Sequence, residues 1–103
     1  MSNLHNPPPK GDCYEAALKF LRALGSSTNA TLAHGNVDSL DQTFLVNHAW
    51  VEEEDVVHEV SNGRHLRISK ARYYQQFKVK NILRYTYEEA LIESVKSKSS
   101  GPW

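Results

Sequence analysis

The sequence predicts an α+β domain in which an amphipathic helix near the start packs on an antiparallel sheet and shorter helices return late in the chain. Three observations carry this. Apolar residues recur at Cys13, Ala16, Ala17, Phe20, Leu21 and Leu24, the i, i+3, i+4, i+7 stripe of a helix. Two runs rich in β-branched and aromatic residues, "TFLVNHAWVEE" and "DVVHEVS", flank an acidic turn as the arms of a hairpin would. Thr86-x-x-Glu89 is a capping box, which opens a last helix from Tyr87 to about Lys96.

Taken in order, residues 1–10 contain "NPPP", which neither forms a helix nor pairs within a sheet, so they predict an extended arm. Asp12 reads as the cap of the first helix with Glu15 three residues on, which places Cys13 in the first turn; Gly25 closes that helix as its C′ residue. "SSTN" is a loop, "ATLAHGNV" a strand interrupted at Gly35, and "DSLDQ" a polar turn. After the hairpin, "SNGR" ends the second arm, "LRIS" is a short extended piece, and Ser69 caps a short helix, "KARYYQQF". That helix is expected to bury Tyr73, Tyr74 and Phe77 while its lysines face water. "VKNILRY" is a further strand, which makes three or four strands in all. The domain division is an arm over 1–10, one α+β domain over 11–97, and a flexible tail over 98–103.

Composition bounds the function. One hundred and three residues make one domain with a modest core. Twelve basic residues balance twelve acidic ones, so no broad electrostatic footprint for nucleic acid or an anionic membrane is expected. No apolar run approaches the ~18 residues that span a bilayer, and no signal-peptide pattern opens the chain. The single cysteine excludes an internal disulfide and a cysteine-rich zinc site, and it suits a reducing, cytoplasmic setting. The acidic run Glu52 to Asp55 reads as a solvated hairpin tip rather than a metal site.

The chemistry centres on Cys13. Lying on the apolar stripe, it can be a small core residue. A helix N-terminus also favours thiolate over thiol, and its free N–H groups can stabilise an oxyanion beside the sulfur. Of the histidines, His5 is in the arm and His65 in a polar stretch, whereas His34, His48 and His58 lie on strands. If Glu54-Asp55 is a two-residue turn, Glu53 pairs with Val56 and Trp50 stands opposite Glu59. Alternation along the strands then puts His48, Trp50 and Glu59 on one face, with Glu59 diagonal to His48 and within its reach. His58 points the other way, and a one-residue slip of the turn would undo the pairing.

Together, "GDCYEAALKFL", "LAHGNV" and "NHAWVEEEDVVHEVSNG" resemble the catalytic core of the papain-like and transglutaminase-like cysteine enzymes. The likeness extends to small bacterial and phage-type proteins and to the leader peptidases of lasso-peptide maturation, and it runs from Gly11 to about Tyr74. The resemblance implies a minimal papain-like core with Cys13 as nucleophile, His48 as general base and Glu59 as the orienting residue. It further implies that Trp50, Asn47 and His34 border the substrate, that no metal or cofactor takes part, and that the substrate is a peptide, a protein or a small amide. The implied activity is that of a cysteine hydrolase or acyltransferase on an amide or ester bond. Glutamate stands where aspartate is commoner, lengthening the third arm by a methylene. No glutamine precedes the cysteine, Asn6 being the nearest amide, so backbone N–H groups would hold the oxyanion. The competing expectation is a non-catalytic binding module of phage or mobile-element type that keeps the fold and uses the arm and tail for contacts.

Overall fold

The stripe that starts at Cys13 forms α1, Asp12–Leu24, in a computed structural model that describes residues 12–38 and 45–103. The helix begins at the residue expected to cap it. It ends where Gly25 takes a φ of +85° and donates its N–H to Leu21 at 3.2 Å. Its buried line runs through Tyr14, Ala17, Leu18 and Leu21, so Cys13, Phe20 and Leu24 lie on the margin of the stripe, half-buried. The extended arm over 1–10 and most of the turn "DSLDQ" lie outside the described residues.

Among the described residues five strands follow, one more than the upper expectation: β1 Thr31–Asp38, β2 Leu45–Glu53, β3 Val56–Glu59, β4 Leu66–Ser69 and β5 Lys80–Tyr85. The additional strand is "LRIS", whose Arg67 and Ile68 pair with His58 and Val57. The sheet is antiparallel in the order β4-β3-β2-β1-β5. Two helices lie late in the chain. The first is α2, Lys70–Phe77, capped by Ser69; the second is α3, Tyr87–Ser97, opened by the complete Thr86–Glu89 capping box.

Alternation sorts the strands between two cores. Leu32, Ala49 and Val51 face α1 and Ala90 of α3; Ala33, Val37, Trp50 and Val57 face Tyr73 of α2. The sheet is thus a middle layer, with α1 and α3 on one side and α2 on the other. Trp50, Tyr73, Leu21 and Leu32 are almost fully buried, and burial of such side chains contributes about 1.5–3 kcal/mol each. Among the described residues no helix is long and apolar enough to cross a membrane.

Two features of the sheet position the site. The hairpin turn is two residues long, Glu54 taking a φ of +53°, so Glu53 pairs with Val56 and Val51 with His58, the register that alternation requires. β2 pairs with β1 over its whole length but with β3 only from Val51 to Glu53. The half of β2 around His48 therefore lacks a strand on that side, and after β3 the chain turns through a 3₁₀ segment, Ser61–Gly63, that packs on α1. Residues 98–103, expected as a tail, turn back so that Trp103 packs against His34 and Tyr85.

Gly35 stands opposite His48 on β1, where a Cβ would lie 3.0 Å from Trp50 Cη2 and 3.1 Å from the Lys80 carbonyl. Gly35→Ala is expected to destabilise the fold by roughly 1–3 kcal/mol through overpacking, read as a lower urea midpoint at unchanged slope.

Candidate active site

His48 lies on the α2 face of β2, and the hairpin register brings Glu59 to the same face. The two side chains meet: His48 Nε2 stands 2.7 Å from Glu59 Oε1. Glu59 is 8% exposed, and a buried carboxylate needs partners for its lone pairs. It has two more. The Tyr73 hydroxyl of α2 donates to Oε1 at 2.8 Å, and the Ser61 hydroxyl of the 3₁₀ turn donates to Oε2 at 2.9 Å. Burial works to raise the Glu59 carboxyl, but the hydrogen bond and charge of His48 and the bonds from Tyr73 and Ser61 outweigh it and hold it below the usual carboxylate range. The Tyr73 phenol is pushed up by burial first and by the neighbouring Glu59 charge second.

Cys13, at the start of α1, is a second partner that acts on the same imidazole. Burial disfavours a charged His48, but hydrogen bonds with Cys13 and Glu59 and the charges on both partners prevail and push the imidazole up to about 9. With Nε2 engaged by Glu59, Nδ1 is the ring nitrogen left for the sulfur. The ring is therefore fixed by a buried carboxylate at one nitrogen, and its charged form is favoured by Glu59 and Cys13 together.

Below the histidine lies a second buried acid. Trp50 stacks near His48, with ring centres 6.1 Å apart and planes at 27°, and its indole donates to Glu52 Oε2 at 2.9 Å. Glu52, 3% exposed, also accepts from Arg84 Nε at 2.8 Å and from the Tyr74 hydroxyl. Glu52 is thus an internal anchor and not part of the solvated tip expected of the acidic run. Burial opposes its charge, yet the bonds from Arg84, Tyr74 and Trp50 keep its carboxyl below the usual range.

None of the three residues expected to border a substrate lines the cleft beside His48 and Glu59. Trp50 has no exposed surface and forms the floor under His48. Asn47, next to His48 but on the opposite face of the strand, is exposed and accepts from Asn36 Nδ2 at 2.7 Å. His34 is buried on the α1 face among Tyr14, Tyr85 and Trp103. His58, as alternation requires, points away from Glu59 and bonds Glu53 and His65 at 3.0 Å each. The sequence marks Tyr73 as a buried helix residue but marks neither Tyr73 nor Ser61 as a partner of Glu59. Strand alternation says nothing about which helix side chain arrives above a carboxylate.

Beside His48 and Glu59 a cleft of about 290 Å³ opens, with Val37, Val46, Ile68, Tyr73 and Phe77 among its walls and Arg64 and Asp38 at its polar edges. Comparisons of the chain with models of protein families, with curated proteins and with solved structures find no match, so the functional reading rests on the residues themselves.

Two histidines make stability depend on pH in opposite directions. Burial lowers His34 from 6.5 to about 4, so its contribution is full above pH 6.5 and is lost as pH falls toward 4. His48 is raised from 6.5 to about 9, so its contribution is full below pH 6.5 and is lost as pH rises toward 9. Each limb amounts to at most about 3 kcal/mol at about 1.4 kcal/mol per pKa unit. Urea melts across this range should give a stability maximum near pH 6.5, with His34→Phe flattening the acid limb and Cys13→Ala the alkaline one.

Proposed function

We propose that the protein is a small cysteine hydrolase or acyltransferase that acts on an amide or ester bond through Cys13, His48 and Glu59. The observation that supports this most is the convergence of three elements on one imidazole. The only cysteine of the chain stands at the start of α1, and the histidine it meets is held from behind by a buried carboxylate at 2.7 Å. An imidazole on which both a thiol and a buried acid act is the arrangement that base-assisted attack by a cysteine requires.

In this reading His48 takes the proton of the thiol, and the sulfur attacks the substrate carbonyl as a thiolate. The N–H groups of the first turn of α1, which have no partner within a helix, stabilise the oxyanion. The tetrahedral adduct collapses as the C–N or C–O bond breaks and the His48 imidazolium gives its proton to the departing amine or alkoxide. A thioester remains on Cys13. Water, or an amine in an acyl transfer, then attacks that thioester with His48 as base, which releases the acyl group and restores the thiolate. Glu59 keeps the imidazole in one tautomer and stabilises its charge, and Tyr73 and Ser61 keep Glu59 ionised. The cleft beside His48 is large enough for an apolar side chain of a peptide or a small amide.

The test is acyl-enzyme formation. With p-nitrophenyl acetate, intact-mass spectrometry should find a single acetyl adduct on the native protein and none on Cys13→Ala. His48→Ala should slow acylation by roughly a hundredfold, the lower range for a general base. Glu59→Gln should slow it less than Glu59→Ala, because an amide oxygen can still accept the imidazole N–H. Equal rates in the native protein and in His48→Ala would leave Cys13 as a structural residue and favour a non-catalytic binding module.

A further inference from the structure

The last residues of the sequence are folded onto the start of α1. Trp103 packs with its ring centre 5.1 Å from that of His34 and 5.0 Å from that of Tyr85, and its indole N–H donates to the Ser99 carbonyl at 3.1 Å. The Gly101 N–H donates to the Ser99 hydroxyl at 3.3 Å, so the segment is tied to itself as well as to the domain. Gly101 has a φ of +113°, and a Cβ there would stand 2.7 Å from His34 Cε1 and 3.3 Å from Tyr14 Cδ1. Its backbone therefore presses directly on two rings. One of them, Tyr14, follows Cys13 in the chain, is 6% exposed, and meets His34 edge-on at 4.8 Å.

The second ring, His34, is 4% exposed, and neither of its ring nitrogens has a hydrogen-bond partner among the described residues. Packing alone holds it, between Tyr14 on one side and Tyr85 and Trp103 on the others. Nothing in the proposed chemistry uses this cluster, and its position explains what it can do. The first turn of a helix has no i−4 carbonyls to hold it and is the part of a helix most prone to fray. Tyr14 is the first fully packed side chain after Cys13. Whatever fixes Tyr14 fixes the sulfur relative to an imidazole that is anchored separately, on β2.

We propose that Ser99–Trp103 is a latch that positions Cys13 against His48, with Trp103 as the positioning residue acting through His34 and Tyr14. The proposal rests on the reading of Cys13 and His48 as a reactive pair. A misplacement of about 1 Å between reacting groups costs on the order of a hundredfold in rate, so a contact that is remote from the sulfur can matter as much as one that touches it.

A double-mutant cycle on Cys13 alkylation by iodoacetamide at pH 7 tests this, with thermal melts run alongside. In the native protein His48→Ala is expected to slow alkylation by about tenfold or more, the expected coupling of an imidazole to a thiolate. With Trp103→Ala in the background the same substitution should change the rate by less than about twofold, and Trp103→Phe, which keeps an aromatic wedge, should restore most of the dependence. Gly101→Ala, which lifts the segment off His34 while keeping the tryptophan, should resemble Trp103→Ala and serves if that variant does not fold. A latch that is merely structural would lower the melting temperature and leave the His48 dependence intact; that result, or a Phe variant no better than Ala, overturns the proposal while the reactive pair stands. Absence of any His48 dependence in the native protein removes the pair, and the latch with it.

Discussion

The site depends on one carboxylate that stays ionised inside a small protein. An unpaired buried carboxylate takes up a proton instead of remaining charged. Glu59 avoids this because donors reach it from three different elements: His48 on β2, Ser61 in the 3₁₀ turn and Tyr73 on α2. Each donor fixes one element relative to the others, so the same bonds that keep the acid charged also assemble the middle of the fold. Once charged, Glu59 holds the His48 ring in one orientation and, with Cys13, raises its pKa.

A second acid repeats the arrangement one layer below. Glu52 is held by the Trp50 indole, Arg84 of β5 and the Tyr74 hydroxyl, with the Lys70 ammonium 3.7 Å away. The two tyrosines are consecutive on α2. One turns its hydroxyl to Glu59 and the next to Glu52, so a single dipeptide fastens that helix to both buried carboxylates. Burial, then the hydrogen bond to Glu52 and its charge, push the Tyr74 phenol up to about 12, which keeps it a donor at neutral pH. Between the two acids Trp50 forms a rigid, fully buried floor, and Gly35 across the strand pair leaves it room. The tryptophan thus supports the histidine from beneath and has no surface for a ligand.

Much of this framework was legible in the sequence because strands have a period of two and the hairpin turn is short. Given a turn at Glu54-Asp55, alternation alone places Glu59 diagonal to His48 and turns His58 away. The same alternation puts Glu52 on the face of Trp50, but the run of four acids disguised it as solvated surface. Tyr73 as a donor was not legible. A helix pattern shows which side is apolar, whereas which hydroxyl meets which carboxylate is set by how α2 docks on the sheet, fourteen residues away from Glu59 in the chain. For His34 and Asn47 the resemblance implied a place beside the substrate; the pleat puts both on the face of the sheet opposite His48. The docking of Trp103 had no local signal, since a "SKSSGPW" segment carries none of the periodicity that marks a buried element.

Glu59 and Cys13 together favour the charged form of His48 and raise its pKa. The most direct measurement is the pH titration of the His48 ring nitrogens by NMR in protein labelled with ¹⁵N-histidine. A midpoint near 9 is expected in the native protein, with a marked fall in Cys13→Ser and in Glu59→Gln, each of which removes one of the partners that raise it. A midpoint close to the ordinary 6.5 in the native protein, unmoved by either substitution, would contradict it.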